Sequence, residues 1–321
     1  MIKITLNDLS FLLELPENNL NYDLEIFDFS IDSRTIKKGD AYISIEGKKY
    51  NGNDFVLDAL KNGASVVFTS NKEYLAPNVI YVKNGKEFLK KIAAFILKKI
   101  NPKVIAVTGS NGKTTTKEII ASILQQEYSE KELLITQGNF NNDIGLSLTI
   151  FKLKEEHKIA ILEMGMNHKG EIEALTKIAP PDIAVITNIG EAHIENFESK
   201  DGIAAAKKEI LNNISNNSFV ILPRDDAYFG FLAKNLLPTK VITFGKSIDS
   251  DIYCVRHSNL VTRYFLIGKF LDVKCSLIGN HNVKNIMAAI GVAQTLKISI
   301  NSIKKGIESF KGVPGRLELK Y

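Results

Sequence analysis

Val104-Ile105-Ala106-Val107-Thr108-Gly109-Ser110-Asn111-Gly112-Lys113-Thr114-Thr115-Thr116-Lys117 joins a short apolar run to a segment with helical spacing of apolar residues. The β-branched run Val104–Val107 suits a buried strand, and from Thr115 onward Ile119, Ile120, Ile123 and Leu124 recur at helical intervals. Glycines between strand and helix let backbone N–H groups turn toward an anion. The helix N-terminus adds the positive end of its dipole, and Lys113 adds a point charge suited to β- and γ-phosphates. Thr114 would ligate Mg²⁺ through its hydroxyl. The usual nucleotide loop, G-x-x-x-x-G-K-[ST], has four residues between its glycines; here two separate Gly109 from Gly112, and Val107 stands where that pattern has glycine. A glycine–asparagine turn before a helix is the competing reading, and the strand–loop–helix context favours the phosphate cradle.

Outward from this loop the chain alternates strand and helix. Strands are expected over 133–136, 159–162, 183–187, 219–222 and 241–244, with helices over 117–126, 144–151, 171–179 and 204–212. Such alternation implies an α/β fold with a mostly parallel sheet covered on both faces, whose site lies at the strands' carboxyl ends. After Asp251, runs at 253–255, 264–267 and 271–277 read as a small antiparallel portion, followed by helices over 282–296 and 302–310. Before the loop, residues 1–98 read as a small α/β domain with strands at 43–45, 65–69 and 79–82, a helix over 53–62 closed by Gly63, and a helix from Lys86 to Ile100. Asn101-Pro102 is a stop signal.

At 321 residues the chain is long enough for two domains, and 45% hydrophobic with 24% charged residues is ordinary globular composition. No apolar run is long enough to cross a bilayer, and Met1–Asp8 lacks the layout of a signal peptide, so a cytoplasmic protein without membrane insertion is expected. The charge of +5 comes from lysines scattered among acids, which suits anionic small molecules better than nucleic acid. Cys254 and Cys275 are too few for a disulfide framework and read as buried reduced thiols.

Polar residues follow several strands. Glu163, at the tip of the 159–162 run, is placed to hold Mg²⁺ as a Walker-B acid does. His193 follows the 183–187 run and converges with Thr114 and Glu163 on one edge. The segment Gly138–Gly145 packs Asn139, Asn141 and Asn142 between glycines; it suits a polar ligand, and equally a loop whose Asp143 caps the next helix. Lys207 lies on a helix among small residues, where sequence chemistry alone reads an ordinary exposed lysine.

Together these segments resemble the Mur ligase family from Asp32 to Arg316. Thr108–Thr116 is similar to its shortened phosphate loop, Gly279-Asn280-His281-Asn282-Val283-Lys284-Asn285 to its nucleotide-contacting Gly-x-His-Asn-x-x-Asn, and Asp32-Ser33-Arg34 with Gly39, Asp40 and Gly47 to the uridine-nucleotide end of its first domain. Gly138–Gly145, Glu163–Glu171 and Thr187–Phe197 look like those of the member that adds D-alanyl-D-alanine to UDP-MurNAc-tripeptide. The resemblance implies an ATP- and Mg²⁺-dependent, ADP-forming ligase of peptidoglycan precursor synthesis that acts through an acyl phosphate. It assigns ATP to Thr108, Gly109, Ser110, Asn111, Gly112, Lys113, Thr114, Asn282 and Arg316, with Asn282 on the base and Arg316 on the phosphates. Thr114 and Glu163 take one Mg²⁺, His193 and a carbamylated Lys207 a second, and Ser33, Arg34, Asn139 and Asn142 the UDP substrate. Lys113, His193, Lys207 and Arg316 are the implied catalytic set.

The implied domains are a UDP-sugar-binding domain over 1–98, an ATP-binding central domain over 99–316, and in 317–321 the start of a third. In the family that third domain helps bind the dipeptide and closes over ATP. A chain without it, unless a separate polypeptide supplies it, is expected to bind UDP-MurNAc-tripeptide and Mg-ATP yet ligate little. A nucleotide-binding fragment without catalysis, and a folylpolyglutamate synthetase-like amide ligase, are the rival readings; the Asp32-Ser33-Arg34 segment and complete first domain argue against the latter.

Overall fold

The computed structural model describes residues 4–12, 21–47, 49–74, 76–237, 240–257, 261–266, 268–274 and 279–313. Its contacts divide the chain into two compact units, 1–101 with 143–155 and 102–142 with 156–321.

In the first unit β1 (Ile4–Thr5) and β2 (Glu25–Ile26) form a short antiparallel pair, and Thr5 caps α1 (Leu6–Leu9). A parallel sheet follows, ordered β3 (Phe29–Ser30), β4 (Ala41–Ile43), β5 (Val66–Thr69) and β6 (Val79–Tyr81). β4 and β5 are buried along their whole length, as continuous apolar strands of a covered parallel sheet should be. Tyr42 and Val67 pack with Val56 and Ala59 of α2 (Val56–Lys61). α3 (Gly85–Ile100) starts where the Asn84 side chain accepts from Glu87 N at 3.0 Å. It stops at Asn101, which takes the left-handed conformation before Pro102.

The second unit holds a nine-stranded sheet. β7 (Lys103–Thr108) leads through the glycine loop into α4 (Lys113–Leu124), and β8 (Leu133–Ile135) follows. The next helix, α5 (Asp143–Ile150), belongs to the first unit, where Asp143 pairs with Lys86 of α3 at 2.8 Å and Phe151 packs on Phe29. The chain continues through β9 (Ile159–Glu163), α6 (Glu171–Ile178), β10 (Ile183–Ile186), α7 (Lys200–Lys208), β11 (Phe219–Pro223), α8 (Phe229–Ala233) and β12 (Val241–Gly245). β13 (Ile252–His257), β14 (Thr262–Leu266), β15 (Lys269–Val273), α9 (Asn280–Thr295) and α10 (Ile300–Ser309) complete it. The order is β15-β14-β13-β12-β11-β10-β7-β9-β8, parallel from β8 to β13 and antiparallel from β13 to β15.

The expected α/β class with a parallel sheet and a small antiparallel portion is the observed one. Central β9 and β10 are wholly buried, whereas β14 and β15 alternate between buried and more exposed residues, as strands with one covered face do. Three bounds shift. α4 begins at Lys113 rather than 117 because the left-handed Gly112 starts it before apolar periodicity sets in. β15 runs 269–273 rather than 271–277, and 275–278, with Cys275, lie outside the described residues. Cys254 is half-buried, and burial raises its thiol pKa. Among the described residues no helix is long and apolar enough to cross a membrane.

Candidate active site

The site is built at the carboxyl ends of β7, β9 and β10. Gly109 and Gly112 have φ of +150° and +82°. A Cβ on Gly109 would lie 1.9 Å from Thr187 Oγ1, and one on Gly112 would lie 2.3 Å from Asn285 Oδ1, so the loop's course requires glycine at both. The loop is held from β10's exit: Asn111 N donates to Asn188 Oδ1 at 3.0 Å, Asn188 Nδ2 donates to Asn111 O at 2.8 Å, and Gly190 N donates to Ser110 Oγ at 2.8 Å. α4 has no side-chain cap, which leaves its first-turn N–H groups facing the loop. Lys113 Nζ donates to Gly109 O at 2.8 Å, and Thr108 Oγ1 is buried without a hydrogen-bond partner among the described residues.

Thr114 Oγ1 donates to Glu163 Oε2 at 2.8 Å, and Asn141 Nδ2 donates to Glu163 Oε1 at 2.9 Å. Glu163 is 2% exposed. A hydroxyl and a carboxylate side by side, next to a loop of N–H donors and a lysine, form the hard-oxygen set that suits Mg²⁺ beside a phosphate. Among the described residues no three His, Cys, Asp or Glu side chains cluster as a metal site, so His193 joins no such group. His193 is half-buried, has φ of +67° and starts a 3₁₀ turn at Ile194–Asn196.

Lys207, expected on sequence chemistry to be exposed, is 2% exposed. Burial and then the Lys113 ammonium lower its pKa to about 7. α7 carries it inward on the face of Ile203, Ala204 and Ala206, which are buried with it. Glu209, two residues on, accepts from Gly170 N at 2.8 Å and Glu173 N at 3.2 Å, capping α6, which has no side-chain cap of its own.

A cavity of about 330 Å³ lies between the glycine loop and the start of α9, lined by Asn111, Gly112, Asn188, His281, Lys284 and Asn285. Asn282 is instead buried and accepts from Asn285 Nδ2 at 3.2 Å. Asn139 and Asn142 are exposed; Asn141 between them reaches Glu163. In the first unit Ser33 is buried and its carbonyl accepts from Asn62. Arg34 is exposed and clamped by Asp32 through Nε at 2.8 Å and Nη2 at 2.7 Å. Arg316 lies outside the described residues.

Asn141, Asn188, His281, Lys284 and Asn285 line or support the site without having been assigned roles of their own. His281, Lys284 and Asn285 fall within the quoted Gly-x-His-Asn-x-x-Asn segment. The signal for Lys284 and Asn285 is their spacing of three and four from His281, which puts all three on one side of a helix's first turns.

A central parallel strand that enters a glycine loop and a helix, with a threonine–carboxylate pair beside it, defines a P-loop α/β protein. Two family models match the chain, the Mur ligase middle domain over 107–293 and the Mur ligase family catalytic domain over 26–128. The chain belongs to the Mur ligase family. It is 33% identical over 300 residues to UDP-N-acetylmuramoyl-tripeptide–D-alanyl-D-alanine ligase of Haemophilus influenzae, covering 92% of this chain and 65% of that relative's length. A crystal structure of MurF from Acinetobacter baumannii matches with a TM-score of 0.89 at 31% identity, covering 99% of this chain and 70% of the other. MurF ligase from Thermotoga maritima, in complex with ADP, matches with a TM-score of 0.81 at 29% identity, covering 92% and 68%.

Proposed function

We propose that this chain supplies the UDP-sugar-binding and ATP-binding parts of a cytoplasmic, ADP-forming ligase that joins D-alanyl-D-alanine to UDP-MurNAc-tripeptide in peptidoglycan precursor synthesis. The observation that carries the reading is the Thr114–Glu163 pair, 2.8 Å apart and buried beside the glycine loop. The names of the relatives support the choice of substrates.

A carboxylate is a poor electrophile. In this reading the tripeptide carboxylate attacks the γ-phosphorus of ATP, ADP leaves, and the dipeptide amine displaces phosphate from the acyl phosphate. Thr108 to Gly112 hold and orient the phosphates through backbone N–H groups, Lys113 and Arg316 balance their charge, and Asn282 belongs to the base subsite. Thr114 and Glu163 would hold one Mg²⁺, with His193 and Lys207 for a second. When bound, Mg²⁺ supplies charge neutralisation at the transferred phosphoryl group. Lys207 serves as a carbamate: with its pKa near 7 a large share of the amine is neutral at physiological pH and can add CO₂, losing a proton. Ser33, Arg34, Asn139 and Asn142 are assigned to the UDP substrate, residues 1–98 to its domain and 99–316 to the ATP domain. The additional length of the relatives is the proposed source of the dipeptide-binding wall, in the same or a separate polypeptide.

The test is calorimetric titration of the chain with Mg-ATP and with UDP-MurNAc-tripeptide, followed by measurement of ADP release on adding D-alanyl-D-alanine, with and without a polypeptide carrying the relatives' remaining length. Release that requires both substrates supports the assignment. Release independent of the dipeptide, or no binding of the UDP-tripeptide, overturns it.

A further inference from the structure

Lys117 is fully buried, one helical turn beyond Thr114 on α4, and none of the roles above uses it. Its ammonium donates to the carbonyl of Thr136, just past the end of β8, and pairs with Glu118 Oε1 at 2.7 Å. Thr136 is also fully buried, and its Oγ1 accepts from Glu163 N at 3.1 Å. Glu163 in turn accepts from Thr114 at 2.8 Å. The contacts close a circuit from α4 through Thr136 and Glu163 and back to α4.

Burying an ammonium costs several kcal/mol even when it is paired, and an apolar side chain of similar length would fill the same space without that cost. A lysine here therefore needs a reason beyond packing. Its head fixes Thr136, whose hydroxyl accepts from Glu163 N, while Thr114, three positions earlier on the same helix, meets the Glu163 carboxylate. We propose that Lys117 is a positioning residue that sets the Glu163 carboxylate against Thr114 through Thr136, so that a divalent cation can be shared between them. The inference rests on the reading of Glu163 as a metal ligand.

The test compares ADP affinity with and without Mg²⁺, by calorimetry, in the unaltered chain and in Lys117→Met, Thr136→Val, Glu163→Gln and the Lys117→Met/Glu163→Gln double variant. Lys117→Met is expected to cut the Mg²⁺-dependent gain in affinity roughly tenfold or more, the size typical of residues that orient a metal ligand, with metal-free ADP affinity unchanged. Thr136→Val, which keeps the side chain's shape, should show the same selective loss and serves if Lys117→Met does not fold. The double variant should lose no more of the gain than Glu163→Gln alone. Equal loss with and without Mg²⁺, or no loss, overturns the proposal and leaves Lys117 a structural strut. If Glu163→Gln itself leaves the gain intact, the metal-ligand reading fails first, and the two failures are thereby told apart.

Discussion

At the carboxyl ends of β4 and β5 in the first unit, Asn53 accepts from Ser44 at 2.6 Å, Thr69 at 2.7 Å and Ser70 N at 3.1 Å. It donates to Ser70 Oγ at 2.9 Å, Asn51 at 3.0 Å and Glu46 at 3.3 Å. At the carboxyl ends of β7 and β9 in the second unit stand Lys113, Thr114 and Glu163, beside two glycines that a Cβ would block and a lysine buried near another lysine. Both clusters are polar, sit at the end of a parallel sheet and have a buried centre, Asn53 in the first and Thr114 with Glu163 in the second. The first uses a neutral amide to satisfy neighbouring hydroxyls and backbone, and so has nothing left to offer a ligand. The second gathers like charges and keeps side chains out, an arrangement that a bound anion and cation would relieve. Polar residues at strand ends therefore do not by themselves mark a site; the charge balance does.

Replacing Asn53 should give the largest change and the sharpest contrast. Asn53→Ala leaves the buried Ser44 and Thr69 hydroxyls without their acceptor, and about 3 kcal/mol of stability should be lost. Denaturant unfolding of the first unit measures this, and ADP affinity should stay as it was; a fall in ADP affinity would break the comparison.

Lys113→Ala should do the reverse. Loss of a charge-assisted contact to phosphate is worth about 2 kcal/mol, or roughly thirtyfold in ADP affinity, with the melting temperature nearly unmoved. Unchanged affinity by calorimetry would sink the phosphate assignment.

Lys207→Met tests the buried amine. The folded-state pKa of about 7 lies below the ordinary value of 10.5, so folding excludes a proton that the unfolded chain keeps. The penalty is complete below about pH 7 and shrinks as pH rises from there toward 10.5. In CO₂-depleted buffer the methionine variant should be more stable than the parent at pH 6, by about 1–2 kcal/mol, with the gap narrowing at pH 9. Denaturation at the two pH values checks it, and a gap that stays constant would mean that Lys207 is not desolvated as described.

The smallest stability effect is expected at Arg34, an exposed side chain held by Asp32. Arg34→Ala should leave the melting temperature unchanged while weakening UDP-MurNAc-tripeptide binding. A shifted melting curve with intact binding would assign the residue to the fold instead.

The phosphate-loop strand and helix, the alternating elements of the second unit and the antiparallel edge were legible because each carries its own hydrophobic period. β1, β2 and β3 were not, since two-residue strands have no period to read. Asn141 could not be separated from Asn139 and Asn142, because three neighbouring amides differ only in which way the backbone turns them. Lys117 drew no role from the sequence, and Lys207 read as an exposed lysine, because a lysine's burial depends on what packs over it.

Local chemistry along the chain was thus enough for the α/β class, the glycine loop with Lys113 and Thr114, and the candidate carboxylate Glu163, since spacing and residue type are carried by contiguous segments. Tertiary structure alone decided three things: that α5 packs with the first unit although it lies between strands of the second, that Glu163 meets Thr114 and Asn141, and that Lys117 and Lys207 are buried. Each depends on residues far apart in sequence, and desolvation, hydrogen-bond partners and pKa come into being only when the fold brings them together.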